Sequence, residues 1–195
     1  MRPNLFLLTG FPGTGKLTVA RALERLLAEA GETARVIDNH WINNPIFGLI
    51  DQDGLTPLPE GVWDRVGEVA EAVVRTVEEL TPRPWHMVFT AYLDGVTDIR
   101  TVTRLEEVAA TRGATFVPVR LLCEPEENAQ RIVSSERRQA MKSMDPAEPV
   151  RLAAAGPPYD PGHPNQLTLD ITALQPDPAA AAILDHALEL ATQNP

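Results

Sequence analysis

The sequence predicts an α/β fold, a parallel sheet with helices covering both faces. Two observations carry this. Short apolar runs alternate five times with segments of helical periodicity, and the first run leads through a glycine-rich turn straight into an amphipathic segment. Alternation of this kind over 195 residues, with 44% hydrophobic and 23% charged residues and no internal repeat, predicts one globular domain spanning 1–195.

The elements follow in order. Asn4–Leu8 is an apolar run of the kind found in buried parallel strands. Beyond the turn, Ala20, Leu23, Leu26, Leu27 and Ala30 form one helical stripe, which Gly31 closes. Ala34–Asp38 is the second strand. Residues 43–61, with Pro45, Pro57 and Pro59, read as a loop-rich excursion holding at most a short helix. Val62, Val66, Val69, Val73, Val77 and Leu80 predict a long amphipathic helix that Pro82 stops, and His86–Ala91 is the third strand. Val102, Leu105, Val108 and Ala109 mark a helix ending at Gly113. The fourth strand lies within Thr115–Leu122, with Pro118 expected to confine regular pairing to its last residues. Pro125 opens a helix expected to reach about Arg138. Prolines and glycines then break the pattern through 139–165, which reads as a flap or long loop. Leu167–Ile171 is the fifth strand, and Asp177-Pro178 is expected to cap a last helix over Ala179–Ala191.

Composition narrows the function. The formal charge of -10 argues against a nucleic-acid binder, although a local basic cluster can still attract a small anion. Cys123 is the single cysteine, so the chain forms no internal disulfide and lacks the thiolates of a structural zinc site. No apolar run approaches membrane-spanning length and no signal peptide is evident, which together predict a cytoplasmic protein without a membrane partner.

The chemistry begins at Gly10-Phe11-Pro12-Gly13-Thr14-Gly15-Lys16-Leu17-Thr18. Gly-x4-Gly-Lys between a strand and a helix is the spacing of a phosphate cradle. Glycines let the backbone turn its N–H groups inward, the helix adds its unpaired donors and positive dipole end, and Lys16 supplies a charge for the outer phosphates. Triphosphate binding follows. The residue after the lysine is ordinarily the Ser or Thr that ligates magnesium; here it is Leu17, with the hydroxyl delayed to Thr18.

Arg131, Arg137, Arg138 and Lys142 gather positive charge at the end of the fifth helix and the start of the irregular segment, where a closing lid would bring cations onto phosphates; the alternative is a solvated helix face with pairs such as Glu127–Arg131. Asp38 ends the second strand, and ligands of open α/β sheets collect at strand carboxyl ends. It could orient an acceptor hydroxyl, take its proton or hold a magnesium-bound water, or simply serve the turn at Asn39–Trp41. His40, Trp41, Asn43 and Asn44 are candidate pocket lining, and Trp63 and Trp85 read as core or rim packing. The third strand runs into Thr90 rather than an acid, with Asp94 four residues later as the other candidate to hold magnesium through water.

The loop resembles that of the nucleoside monophosphate kinases, typically Gly-x-Pro-Gly-x-Gly-Lys-Gly-Thr, with Leu17 in place of the family glycine. The layout is also similar to that of the shikimate-kinase-like and chloramphenicol-phosphotransferase-like small kinases. This resemblance implies a P-loop NTPase fold with strand order 2-3-1-4-5, ATP as phosphate donor and magnesium held mainly through waters. It implies that Gly10, Gly13, Thr14, Gly15, Lys16, Leu17 and Thr18 bind the nucleotide, and that 139–165 is a mobile lid. It further places Arg131 near the adenine, Arg137 or Arg138 over the transferred phosphoryl, Asp38 beside the acceptor hydroxyl, and Leu169, Asp170 and Thr172 in an adenine loop. The reading is thus an ATP-dependent kinase acting on a small hydroxyl- or phosphate-bearing acceptor. A nucleotide-binding ATPase or regulator without an acceptor is the alternative, and the Asn-Lys-x-Asp signature of a GTPase is missing.

Overall fold

A computed structural model describes residues 1–50, 56–93, 95, 99–133 and 145–193. Five parallel strands, β1 (Asn4–Thr9), β2 (Ala34–Asp38), β3 (His86–Ala91), β4 (Thr115–Leu122) and β5 (Leu167–Asp170), form one sheet in the order 2-3-1-4-5. This is the predicted topology. Every residue of β1 is buried because helices cover both faces of the sheet. Phe6 and Leu8 point to one face, where Val88, Val119 and Leu121 meet Leu23 and Leu27 of α1 (Lys16–Glu29) and Ile183 of the last helix. Leu5 and Leu7 point to the other, against Val74 and Val77 of α3 (Val62–Leu80) and Leu105 and Val108 of α4 (Ile99–Arg112). Each fully buried Leu or Phe contributes ~1.5–3 kcal/mol, so this central strand is the strongest local determinant of the fold.

Several predicted boundaries move, each for a physical reason. β4 pairs with β1 along Asn4↔Thr115 to Thr9↔Arg120, straight through Pro118. The Phe116 carbonyl accepts from Asn165 Nδ2 on the side away from β1, and Pro118, two residues on, faces the same way. The β4–β5 pairs begin only at Val119↔Leu167, so the missing proline N–H costs no ladder bond. A helix, α2 (Asn39–Phe47), runs into the excursion despite Pro45. Pro45 forfeits a bond to the carbonyl of Trp41, a residue that is 66% exposed. Phe47, Val62 and Val66 form a small separate core between α2 and the start of α3. Leu80 belongs to no core at 77% exposure; Val74 takes the buried place on the stripe as the helix nears its end.

The helix α5 (Pro125–Ile132) ends at Ile132 rather than near Arg138. Within the segment expected to be loop lies α6 (Glu148–Ala155), with Pro149 in its first turn. The last helix, α7 (Pro176–Gln193), starts before Asp177, so that residue lies in the first turn, where it pairs with Arg25 at 2.5 Å instead of capping. The N–H of Ala179 is bonded to the Gln175 carbonyl. Among the described residues no helix is long and apolar enough to cross a membrane.

Candidate active site

The predicted phosphate loop joins β1 to α1. Gly10 (φ +146°) leaves β1 where a Cβ would stand 2.5 Å from the Leu121 carbonyl oxygen of β4. Gly13 (φ +91°) is tighter still: a Cβ there would meet Asn128 Oδ1 at 2.2 Å. Only glycine reconciles these torsions with those approaches. Gly15 precedes α1 in the left-handed conformation and brings no side-chain cap, which leaves the first N–H groups of α1 for a ligand. Lys16 folds over the loop, donating to the carbonyls of Gly10 at 2.7 Å and Phe11 at 2.9 Å. The buried Thr14 hydroxyl also donates to the Phe11 carbonyl. Leu17 is packed against the core shared by α1 and α7, so the side chain that replaces the usual hydroxyl serves packing. Thr18 is exposed on the first turn of α1.

Asp38 lies at the carboxyl end of β2, buried, opposite Thr90 of β3. Thr90 Oγ1 donates to Asp38 Oδ1 at 2.7 Å and accepts from the Asn39 N–H at 3.3 Å, which orients the carboxylate and ties it to the start of α2. The hydroxyl that stands where an acid was sought on the third strand therefore positions the acid of the second. β3 separates β2 from β1, so Asp38 is about two strand spacings, roughly 10 Å, from the end of β1. Of the excursion residues, Asn43 is buried, His40 and Asn44 are half-buried, and Trp41 is exposed. Trp63 is largely exposed and meets Phe47 edge-on, while Trp85 packs on the α3–α4 core beneath the Arg35 guanidinium.

On the opposite side of the loop, Arg131 links three elements. It is paired with Glu127 at 2.8 Å and donates to the carbonyls of Thr14 (3.5 Å), Ile171 (3.2 Å) and Thr172 (2.8 Å). Asp170 Oδ1 accepts from both the hydroxyl and the N–H of Thr172, and these bonds hold its carboxyl below the usual range. Thr172 Oγ1 accepts in turn from the Glu124 N–H. Of the predicted Leu169, Asp170 and Thr172, Leu169 pairs with Leu121 in the sheet, while Asp170 and Thr172 form a closed turn that fastens the tip of β5 to that of β4. Burial pushes the neighbouring Cys123 thiol up, keeping it protonated.

α6 packs on α5, and the turn after it crosses the tip of β4. A cavity of about 310 Å³ lies between them, lined by Phe11, Thr14, Leu122, Cys123, Ala153 and Pro157. Arg120 on β4 anchors the following stretch through the Pro158 carbonyl at 2.7 Å and Asp160 at 3.2 Å. The described part of 139–165 therefore borders the phosphate loop. Arg137, Arg138, Lys142 and Asp94 lie outside the described residues.

Sequence reasoning missed two contributors. Thr90 was legible only as the lack of an acid; its partner emerges from the Asp38↔Thr90 register. Asn128 reads as a polar residue early in a surface helix, yet it is fully buried against Gly13.

A five-stranded parallel sheet of order 2-3-1-4-5, with this loop between β1 and α1, gives the chain a P-loop kinase-like fold. No protein-family model matches the chain. In sequence it is similar to a probable adenylyl-sulfate kinase of Aeropyrum pernix, 24% identical over 166 residues, 84% of this chain and 80% of that one. In fold it is similar to the APS kinase of Mycobacterium tuberculosis solved with AMPPNP and APS (TM-score 0.59, 21% identity, 96% of this chain and 98% of that one). It is likewise similar to the thymidylate kinase of Candida albicans (TM-score 0.61, 14% identity, 99% and 93%).

Proposed function

We propose that the chain is an ATP-dependent phosphotransferase that moves the γ-phosphoryl group to a small hydroxyl- or phosphate-bearing acceptor. The observation that carries this reading is the pairing of two sites across the sheet. One is a phosphate cradle with Lys16 over it; the other is a buried carboxylate, Asp38, held by Thr90 about two strands away. A cradle alone suits any nucleotide binder, whereas an oriented carboxylate at acceptor distance suits transfer. The relatives named as kinases support the same reaction class.

In this reading the loop N–H groups and Lys16 hold the phosphates, and Arg131 with the 170–172 turn borders the base. Asp38 orients the acceptor hydroxyl and takes its proton. Arg137 and Arg138 are the proposed cations over the transferred phosphoryl, and 139–165 is the proposed lid. A magnesium ion fits a sparse oxygen set: among the described residues no cluster of three His, Cys, Asp or Glu could hold a metal, and Leu17 supplies no hydroxyl. Asp38, with Asp94 as the second candidate, would meet it through water, and the ion would neutralise phosphate charge. The protein is proposed to work in the cytoplasm.

An acceptor screen of nucleosides, nucleotides, sugars and hydroxylated acids, read by ADP release, tests the proposal. Acceptor-dependent release that Lys16→Ala lowers by at least about a hundredfold is the expected result. Nucleotide hydrolysis that no acceptor alters refutes transfer and favours the ATPase reading, for which Thr90 in place of an acid is the supporting feature.

A further inference from the structure

Asn128 sits in the second turn of α5 with none of its surface exposed, and neither Oδ1 nor Nδ2 has a hydrogen-bond partner among the described residues. A buried amide with both ends unpaired destabilises the fold that holds it, and the group is unusual enough to require a reason. Its neighbour is the phosphate loop. Asn128 Oδ1 is the nearest atom to the position a Gly13 Cβ would take, and the Asn128 backbone carbonyl is the third nearest, at 3.2 Å. Three residues on, along the same face of α5, Arg131 reaches the Thr14 carbonyl. One helix face therefore presents an unpaired amide and a guanidinium to two successive residues of the loop.

The loop is meanwhile bonded to itself. Lys16 occupies the Gly10 and Phe11 carbonyls, and the Thr14 hydroxyl and N–H both turn to the Phe11 carbonyl. A phosphate chain in the cradle would compete for Lys16 and for the loop N–H groups, and would rotate the peptide groups flanking Gly13. An amide at that point can meet either end of a rotated peptide, because it carries both donors and an acceptor. A leucine, of similar size, can meet neither.

We propose that Asn128 is a positioning residue that pairs with the Gly13 peptides when phosphate fills the loop, and so couples nucleotide binding to the seating of α5. Its amide stays unpaired in the empty protein and gains its bonds only in the filled one. The inference rests on the nucleotide-binding reading above and adds a residue to it.

The test measures ADP and ATP affinity by calorimetry, together with the melting temperature without nucleotide, for the wild type, Asn128→Leu and Asn128→Ala. Asn128→Leu is expected to melt at or above the wild-type temperature, since it removes two unpaired polar atoms, and to bind ADP about tenfold more weakly. Asn128→Ala carries the affinity test should the leucine fail to fold. A purely structural asparagine gives the reverse: a lower melting temperature in both variants with affinity unchanged, which overturns the proposal. A wild-type chain that binds neither nucleotide overturns the nucleotide reading and this inference with it. Wild-type binding that both variants retain overturns this inference alone.

Discussion

Replacing Gly13 by alanine perturbs the phosphate loop in two separable ways. The first is torsional: at φ +91° an L-residue is forced into a left-handed conformation that costs ~1–2 kcal/mol. The second is steric. The new methyl would stand 2.2 Å from Asn128 Oδ1 and 3.2 Å from the Asn128 carbonyl oxygen, so α5 or its side chain must yield; overpacking of this kind costs ~1–3 kcal/mol. Together Gly13→Ala should destabilise the protein by ~2–5 kcal/mol, a large part of the ~5–15 kcal/mol that a native domain has.

Gly15 is the internal control. Its φ is +96°, but nothing lies within 4 Å of the position its Cβ would take, so Gly15→Ala should cost only the torsional ~1–2 kcal/mol. The difference between the two variants isolates the contact with Asn128. Urea unfolding without nucleotide supplies the free energies, and a cycle of Gly13→Ala, Asn128→Ala and the double variant supplies the coupling. A coupling of ~1–3 kcal/mol is expected, with the double variant recovering the steric part. Equal costs at Gly13 and Gly15, with a coupling inside about 0.5 kcal/mol, would refute the claim that α5 is seated on the loop at this point.

Two further predictions concern the ends of the sheet. Thr90→Val removes the donor to the buried Asp38 carboxylate; a bond to a charged group is worth about 1.5–3 kcal/mol, roughly a tenfold to hundredfold fall in turnover by the acceptor assay, with nucleotide affinity unchanged. At the far end, His86 is fully buried and accepts the Asn4 N–H at Nδ1. Burial lowers its pKa from the usual 6.5, opposed by Glu32, 3.7 Å from Nε2 and itself bonded to the Met1 amine. The fold thus favours neutral His86: its contribution is complete above pH 6.5 and is lost as pH falls through the lowered value. His86→Gln should flatten that part of the melting profile. Glu32, whose pKa is lowered from 4.5 by its bond to the Met1 amine, adds stability that is lost as pH falls through its own lowered value.

The sheet was legible because its physical cause is local. Leu5 to Leu8 are apolar at every position, as both-face burial requires, and the glycine spacing beyond them fits one kind of turn. Asp38 was legible for the same reason, as a charge at the end of an apolar strand. The misreadings share a different cause. In the sequence Pro45 suggests at most a short helix and Pro118 a shortened strand, yet a proline removes one donor, and its effect depends on what that donor faces. Pro45 would have bonded the carbonyl of an exposed residue, Trp41, and Pro118 faces a side that β5 has not reached. Thr90 and Asn128 were hidden because their partners, Asp38 and Gly13, are 52 and 115 residues away in sequence. No periodicity records such a pairing.

α5 is where these long-range pairings converge. Pro125 starts it at the tip of β4, Asn128 places it on Gly13, and Arg131 ties it to both the loop and the 171–172 carbonyls. A helix of eight residues is too short to be stable alone, so its position is set by these contacts. In the proposed reading, the loop is a contact that a ligand would remodel. A nucleotide that shifted Lys16 and turned the Gly13 peptides would therefore act on the seat of α5, and through it on α6, which packs on α5 and borders the cavity beside Phe11. Leu17 gives this arrangement a fixed footing. By packing into the α1–α7 core it ties the first turn of α1 to that core.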